Sequence, residues 1–294
     1  MSDTAASFQT LSSHACFGGT QHFVSHDSRE IGLPMRFSVY LPPQAQQGPV
    51  PALVYLAGLT CNEETFMIKA GAQRLAAEHG IALVAPDTSP RGPAVEQMPG
   101  AAESWDFGIA AGFYLDATAE PWATHFRMES WIVHELLPLV AQRLPIDGQR
   151  IGLFGHSMGG HGALTLALRH PGRFASLSAF APICAPSECP WGEKAFGRYL
   201  GNSEEARAQW LAHDAAALMQ SQTAAPYPDG ILVDQGLADK FLAEQLHPER
   251  LEAACAAAGQ ALTLRRHAGY DHGYYFIQSF MADHFAHHAR TLCR

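Results

Sequence analysis

"RIGLFGHSMGGHGALTLALRHP", residues 150–171, is the stretch on which the reading of this chain turns. Ile151, Leu153 and Phe154 make a short apolar run suited to a buried strand. Residues 163–169, rich in Ala and Leu, suit a helix that stops before Pro171. Ser157 therefore falls in a strand-to-helix turn with no room for a long loop. Gly155, Gly159 and Gly160 surround it, and we read them as permitting backbone torsions that a larger residue resists. Such a turn lifts the hydroxyl out of the sheet edge and points the unpaired N–H groups of the next helix at whatever the hydroxyl attacks.

Outward from that turn, strand-like and helix-like runs alternate. "MRFSVYLPP" (35–43) and "PALVYLAG" (51–58) precede a helix-like stretch from about Glu64 to His79, and "IALVAPD" (81–87) follows. The amphipathic segment "THFRMESWIVHELLPLVAQRL" (124–144) leads into the strand before Ser157. After it come "FASLSAFAP" (174–182), a polar and helical insertion over 187–225, "GILVDQG" (230–236), another helix, "ALTLRRH" (261–267) and a last helix from about Tyr274. This order predicts an α/β fold, with a mostly parallel central sheet covered by helices on both faces. With 294 residues, 47% hydrophobic, and no linker or repeat in view, one domain over 1–294 is expected.

Composition narrows the partners. A formal net charge of −9 argues against nucleic acid or an anionic membrane as the main partner, so a small molecule is the expected ligand. The first residues, "MSDTAASFQTLSSHACFGG", lack the pattern of a secretory signal, and no apolar run approaches the roughly 18 residues that span a bilayer. A cytoplasmic location is the expectation. The six cysteines show no C-x-x-C spacing and read as free thiols, with neither disulfide nor structural zinc.

"G-H-S-M-G" fits the G-x-S-x-G pattern of a nucleophile elbow, a weak signal alone but here set between a strand and a helix as the chemistry demands. A serine hydroxyl needs a base within hydrogen-bond reach and an acid to orient that base. His156 adjoins the serine but is expected to turn away from the reacting atom. His272, in "HAGYDHGYY" (267–275), follows a strand at the edge where open α/β sheets bind ligands. For the acid, "LVDQGLADKF" (232–241) offers Asp234 and Asp239, and spacing alone does not separate them. The order Ser157, Asp239, His272 is that of the α/β-hydrolase arrangement. An oxyanion needs N–H donors: the Met158 backbone supplies one, and the Leu59 backbone, in "VYLAGLTCNEETF" (54–66), is the candidate for the other.

"GLTCNEETF", "SWDFG", "AGFYLDAT", "FGHSMGGHGAL", "CPWGEKAF", "DQGLADKF" and "GYDHGYYFI" together resemble the S-formylglutathione hydrolases, the esterase D family, from about Cys16 to the C-terminus. The resemblance implies an α/β-hydrolase that cleaves a glutathione thioester, S-formylglutathione, to glutathione and formate, a step of formaldehyde detoxification. It carries the triad onto Ser157, Asp239 and His272, preferring Asp239 over Asp234, and the oxyanion donors onto Leu59 and Met158. It implies a homodimer, as members often are, and the serine mechanism by itself needs no metal and no organic cofactor. One departure is Thr20 in "CFGGT" (16–20), where relatives commonly have an aromatic residue.

Other stretches are weighed against plainer readings. Cys61 lies two residues beyond Leu59 and is a candidate for the substrate pocket, as are Trp105, Trp191 and, for a glutathione carboxylate, Lys194. Phe107 and Phe196 are either cleft walls or core. His284, His287 and His288 have helical spacing that suits a metal but read better as a solvated face of the terminal helix. A general carboxylesterase, an acyltransferase of similar fold, and an inactive binding module remain as rivals.

Overall fold

Four strands, β4 (Val50–Leu56), β5 (Ala82–Pro86), β7 (Ser176–Phe180) and β8 (Ile231–Gly236), are buried at every residue. Runs apolar on both faces must be covered on both sides, which is the condition of a parallel sheet inside two helical layers. A computed structural model describes residues 8–294 and shows that arrangement. The remaining strands are β1 (Phe8–Cys16), β2 (Gly19–Asp27), β3 (Pro34–Leu41), β6 (Ile146–His156) and β9 (Leu262–His267). They form one nine-stranded sheet in the order β1-β2-β3-β5-β4-β6-β7-β8-β9, parallel from β5 to β9 and antiparallel from β1 to β3 and at the β3–β5 pair.

The order carries a functional consequence. From β4 the chain moves outward to β5, then crosses back to β6 on the other side of β4. The carboxyl ends of β4 and β6 thus flank the point where the winding reverses, where a crevice opens for ligands. Gly58 and Leu59 follow β4, Ser157 follows β6, Asp239 follows β8 and His272 follows β9.

Several expectations need correction. The sequence reading begins the sheet at β3, whereas β1 and β2 add a hairpin at its edge. β1 is largely exposed, and its apolar residues Phe8, Leu11, Ala15 and Cys16 are not spaced at a strand period among the Ser, Thr, Gln and His between them. A two-residue turn at Phe17 and Gly18, both with positive φ, closes the hairpin. Thr20 lies in β2 opposite Ala15 and Leu41, in this edge hairpin. The stretch from Glu64 to His79 is two helices, Thr65–Lys69 and Ala72–His79, parted at Gly71 with φ of 64°. In 124–144 the helical part starts at Met128 and passes through a widened, π-type stretch, Trp131–Leu136, before Leu137–Arg143.

The last helix, Tyr274–Leu292, is not a solvated face at its histidines. His284, His287 and His288 are buried. His288 hydrogen-bonds Ser176 (2.6 Å) and Ser178 (2.7 Å), His284 bonds Ser178 (2.8 Å) and Asp234 (3.2 Å), and His287 bonds the Leu177 carbonyl (3.0 Å). Imidazoles can be buried in this helix because the serines of β7 and Asp234 of β8 satisfy them. Among the described residues no group of three or more ligating side chains is arranged to hold a metal ion.

Candidate active site

The turn after β6 is tight because two glycines remove side chains from close backbone approaches. A Cβ on Gly155 would sit 2.1 Å from the Gly159 carbonyl oxygen, and one on Gly159 would sit 1.9 Å from that of Leu56. Neither glycine has a positive φ. Their role is therefore space, not the torsional freedom expected from the sequence. The strained torsions belong to Ser157 itself, at φ 58° and ψ −120°, just before the helix Met158–Arg169. For a non-glycine residue that conformation costs on the order of 1–3 kcal/mol and persists only where its surroundings enforce it. Here they do: the Ser157 N–H donates to Phe180 of β7 (3.0 Å), and its carbonyl accepts from His161 (2.9 Å).

Three loops deliver the other groups. His272 Nε2 lies 2.9 Å from Ser157 Oγ, and its Nδ1 lies 2.5 Å from Asp239 Oδ2. The Asp239 side chain is fully buried. Its other oxygen accepts the Phe241 N–H (2.9 Å), and Gln235 Nε2 reaches Oδ2 at 3.4 Å. A carboxylate fixed on Nδ1 holds the imidazole with Nε2 free to accept the serine proton.

Asp234 lies elsewhere. It is buried beneath the sheet edge, gripped by Arg265 through Nε (2.6 Å) and Nη2 (2.5 Å) and approached by His267 and His284. Burial works against its ionisation, but the hydrogen bonds of His284, Arg265 and His267 outweigh it and hold the carboxyl below the usual carboxylate range.

The loop after β4 is braced from the irregular segment around Tyr114. Tyr114 donates its hydroxyl to the Ala57 carbonyl (2.8 Å), and the Thr60 N–H donates to Ala110 (3.0 Å). Beyond it, Thr88 Oγ1 (2.6 Å) and Arg91 Nη2 (2.9 Å) both donate to the Cys61 carbonyl. Gly58 lies so close to the elbow that a Cβ there would be 3.2 Å from Ser157 Cβ. Leu59, the next residue, lines the same cleft as Ser157. On the other side, Met158 opens its helix, so its N–H has no acceptor within that helix.

The cleft around Ser157 has a volume of about 510 Å³, and Leu59, Cys61, Trp105 and Trp191 all line it. Trp105 and Trp191 meet edge to face with centroids 5.6 Å apart. Phe107 and Phe196 are instead fully buried in the aromatic core. Lys194 is not in the lining; its ammonium pairs with Asp106 and with Ser104 (2.9 Å). Burial raises the Cys61 thiol above the ordinary cysteine value.

Sequence reasoning missed three features. His156 makes no hydrogen bond to Ser157 but backs the catalytic imidazole: its ring packs against that of His272 at 4.4 Å, and burial, with His272 beside it, pushes its pKa well below the ordinary value. A neutral ring there adds no positive charge to oppose protonation of His272. Lys69 and Lys240 line the cleft where Lys194 does not. The signal available for these two was that the chain has three lysines in all, at 69, 194 and 240. Phe241 sets its edge against His272 at 5.0 Å.

An elbow serine bonded to a histidine that is bonded to a carboxylate, at the carboxyl edge of this sheet, defines a serine hydrolase of the α/β-hydrolase fold. The profile of the Esterase family matches residues 28–287. The chain is 50% identical over 283 residues to the S-formylglutathione hydrolase of Rattus norvegicus, covering 96% of this chain and 98% of that one. It is also 50% identical over 285 residues to the S-formylglutathione hydrolase of Paracoccus denitrificans, covering 97% and 98%. The solved structure of an S-formylglutathione hydrolase from Agrobacterium tumefaciens superposes with a TM-score of 0.91 at 46% identity, covering 97% of this chain and 99% of that one. The chain belongs to the S-formylglutathione hydrolase family of esterases.

Proposed function

We propose that this chain hydrolyses S-formylglutathione to glutathione and formate, with Ser157 as nucleophile, His272 as general base and Asp239 as the carboxylate that orients it. The observation that carries this reading is the Ser157–His272–Asp239 hydrogen-bond chain, at 2.9 Å and 2.5 Å, in a member of that family. His272 takes the hydroxyl proton as Oγ attacks the formyl carbon, and Asp239 stabilises the imidazolium that results. The Leu59 and Met158 N–H groups receive the oxyanion. The C–S bond breaks, the glutathione thiolate leaves taking the proton from the His272 imidazolium, and His272 is neutral again. Water then attacks the formyl-serine with His272 as base, releasing formate and restoring Ser157.

This reading takes the chain as one hydrolase domain over 1–294, acting in the cytoplasm on a small anionic thioester, assembled as a homodimer and without nucleic-acid or membrane partners. Two facts support parts of it. The net charge of −9 disfavours polyanions, and no helix among the described residues is long and apolar enough to cross a membrane.

The direct test is the ratio of kcat/KM for S-formylglutathione to that for a short-chain aryl ester, which is expected to favour the thioester by orders of magnitude. Acyl size gives a second measure. The elbow and the Leu59 loop touch through Gly58, so little space is left for the acyl group. Each methylene that does not fit costs about 1–3 kcal/mol, and kcat/KM is expected to fall steeply from formyl through acetyl to butyryl glutathione. Equal values across the three would instead make the chain a general esterase.

A further inference from the structure

The charge of the cleft runs opposite to that of the whole chain. Overall the formal net charge is −9, yet the cleft lining holds Lys69 and Lys240 and no aspartate or glutamate among the described residues. The third lysine, Lys194, is outside the lining and is paired with Asp106. Neither Lys69 nor Lys240 has an ion-pair partner among the described residues.

Both ammonium groups rest on aromatic faces at the rim of the reaction centre. Lys69, the last residue of the helix Thr65–Lys69, holds Nζ 5.8 Å from the centroid of Tyr274. Lys240 follows Asp239 and holds Nζ 4.9 Å from the centroid of Phe241, the ring that abuts His272 and, at 4.6 Å, Trp191. A ring face attracts a cation without cancelling its charge, so each ammonium stays able to bind an anion. Tyr274 follows His272 by two residues, and Phe241, from the loop after β8, meets the His272 ring in space, so the two cations are tied to separate supports around one cleft.

Glutathione carries two carboxylates, one at each end of the tripeptide, with the sulfur between them. Its approach to a chain of net charge −9 is opposed at long range, and positive groups inside the cleft offset that repulsion where it matters. We propose that Lys69 and Lys240 form two carboxylate subsites of the cleft, one for each carboxylate of the glutathione moiety, holding the thioester between them over Ser157. This rests on the proposed hydrolysis of S-formylglutathione. Both lysines are exposed, so each contact is a screened, charge-assisted hydrogen bond whose loss raises KM more than it lowers kcat.

The test compares the enzyme with Lys69→Met, Lys240→Met and the double variant, using S-formylglutathione and the neutral ester p-nitrophenyl acetate. The ratio of kcat/KM for the thioester to that for the ester is expected to fall about 3- to 10-fold in each single variant and about 10- to 100-fold in the double, mostly through KM. The inhibition constant of the non-hydrolysable S-methylglutathione should rise by a similar factor, and the salt dependence of the wild-type thioester reaction should flatten in the double variant. With S-formylglutathione amidated at its glycine carboxylate, one single substitution should become silent while the other keeps its effect. A double variant with an unchanged ratio and an unchanged inhibition constant overturns the subsites alone, as does an equal loss on both substrates. A wild type that cleaves the ester but not S-formylglutathione overturns the functional reading beneath them.

Discussion

Replacing Ser157 or His272 by alanine is expected to lower kcat by about 10⁵- to 10⁶-fold, and Asp239→Asn by about 10⁴-fold, with little change in thermal stability for the serine variant. On the proposed route the serine supplies the bond to the acyl group and the histidine moves the proton, so losing either abolishes that route. Asparagine at 239 accepts less strongly from Nδ1 and permits the opposite tautomer, which is why its effect is smaller yet still large. Steady-state kinetics on folded protein, with fluorophosphonate labelling to count competent serines, measures all three.

Asp234 provides the contrast that tests this assignment. Asp234→Asn removes the charge facing Arg265, which the structure places away from Ser157, so it is expected to cost about 3 kcal/mol of stability while leaving kcat of the folded enzyme within a few-fold. The pH dependence follows from the direction of its shift. A carboxyl held below its unfolded value of about 3.9 contributes stability that is present above that pH and is lost as the pH falls through the folded value. The wild type should therefore lose stability on acidification below about pH 4 more steeply than Asp234→Asn does. If Asp234→Asn proved more damaging to kcat than Asp239→Asn, the orienting carboxylate would be Asp234.

The elbow was legible in the sequence because its chemistry is local. A strand, a G-x-S-x-G turn and a helix occupy adjacent positions, and the structure shows those elements where the pattern puts them. Asp234 and Asp239 are not separable by spacing, since one lies near the end of β8 and the other just beyond it, and the tertiary partners distinguish them: Arg265 and His284 for one, His272 for the other. The buried histidines of the last helix were illegible for a related reason. A histidine repeated at helical spacing looks like a polar face until the serines of β7 are brought beneath it. The glycines were recognised as necessary but for the wrong cause, because torsion can be guessed from composition while a 1.9 Å approach to the Leu56 carbonyl requires the neighbouring strand. Lys194 was singled out by its motif, but Asp106, 88 residues away in sequence, claims its charge.

Cys61 is expected to be the site at which a maleimide inactivates the enzyme, and the structure sets the rate as well as the place. Its side chain lines the cleft two residues beyond Leu59, so a bulky adduct fills acyl space or shifts the Leu59 N–H, and loss of one oxyanion donor is worth about 10²- to 10³-fold in kcat. Burial raises the thiol above the ordinary value, which leaves little thiolate near neutrality. Inactivation should therefore be slow at pH 7 and quicken about tenfold per pH unit as the thiolate forms, whereas Cys293 is the more exposed sulfur for the reagent. Cys61→Ser keeps the hydrogen-bonding capacity of the position and is expected to retain substantial activity. In that variant Cys293 still takes up label, yet activity should survive the reagent, so that mass spectrometry and kinetics separate modification from damage. Loss of activity in Cys61→Ser at the wild-type rate would place the sensitive thiol elsewhere, with half-buried Cys16 the next accessible sulfur.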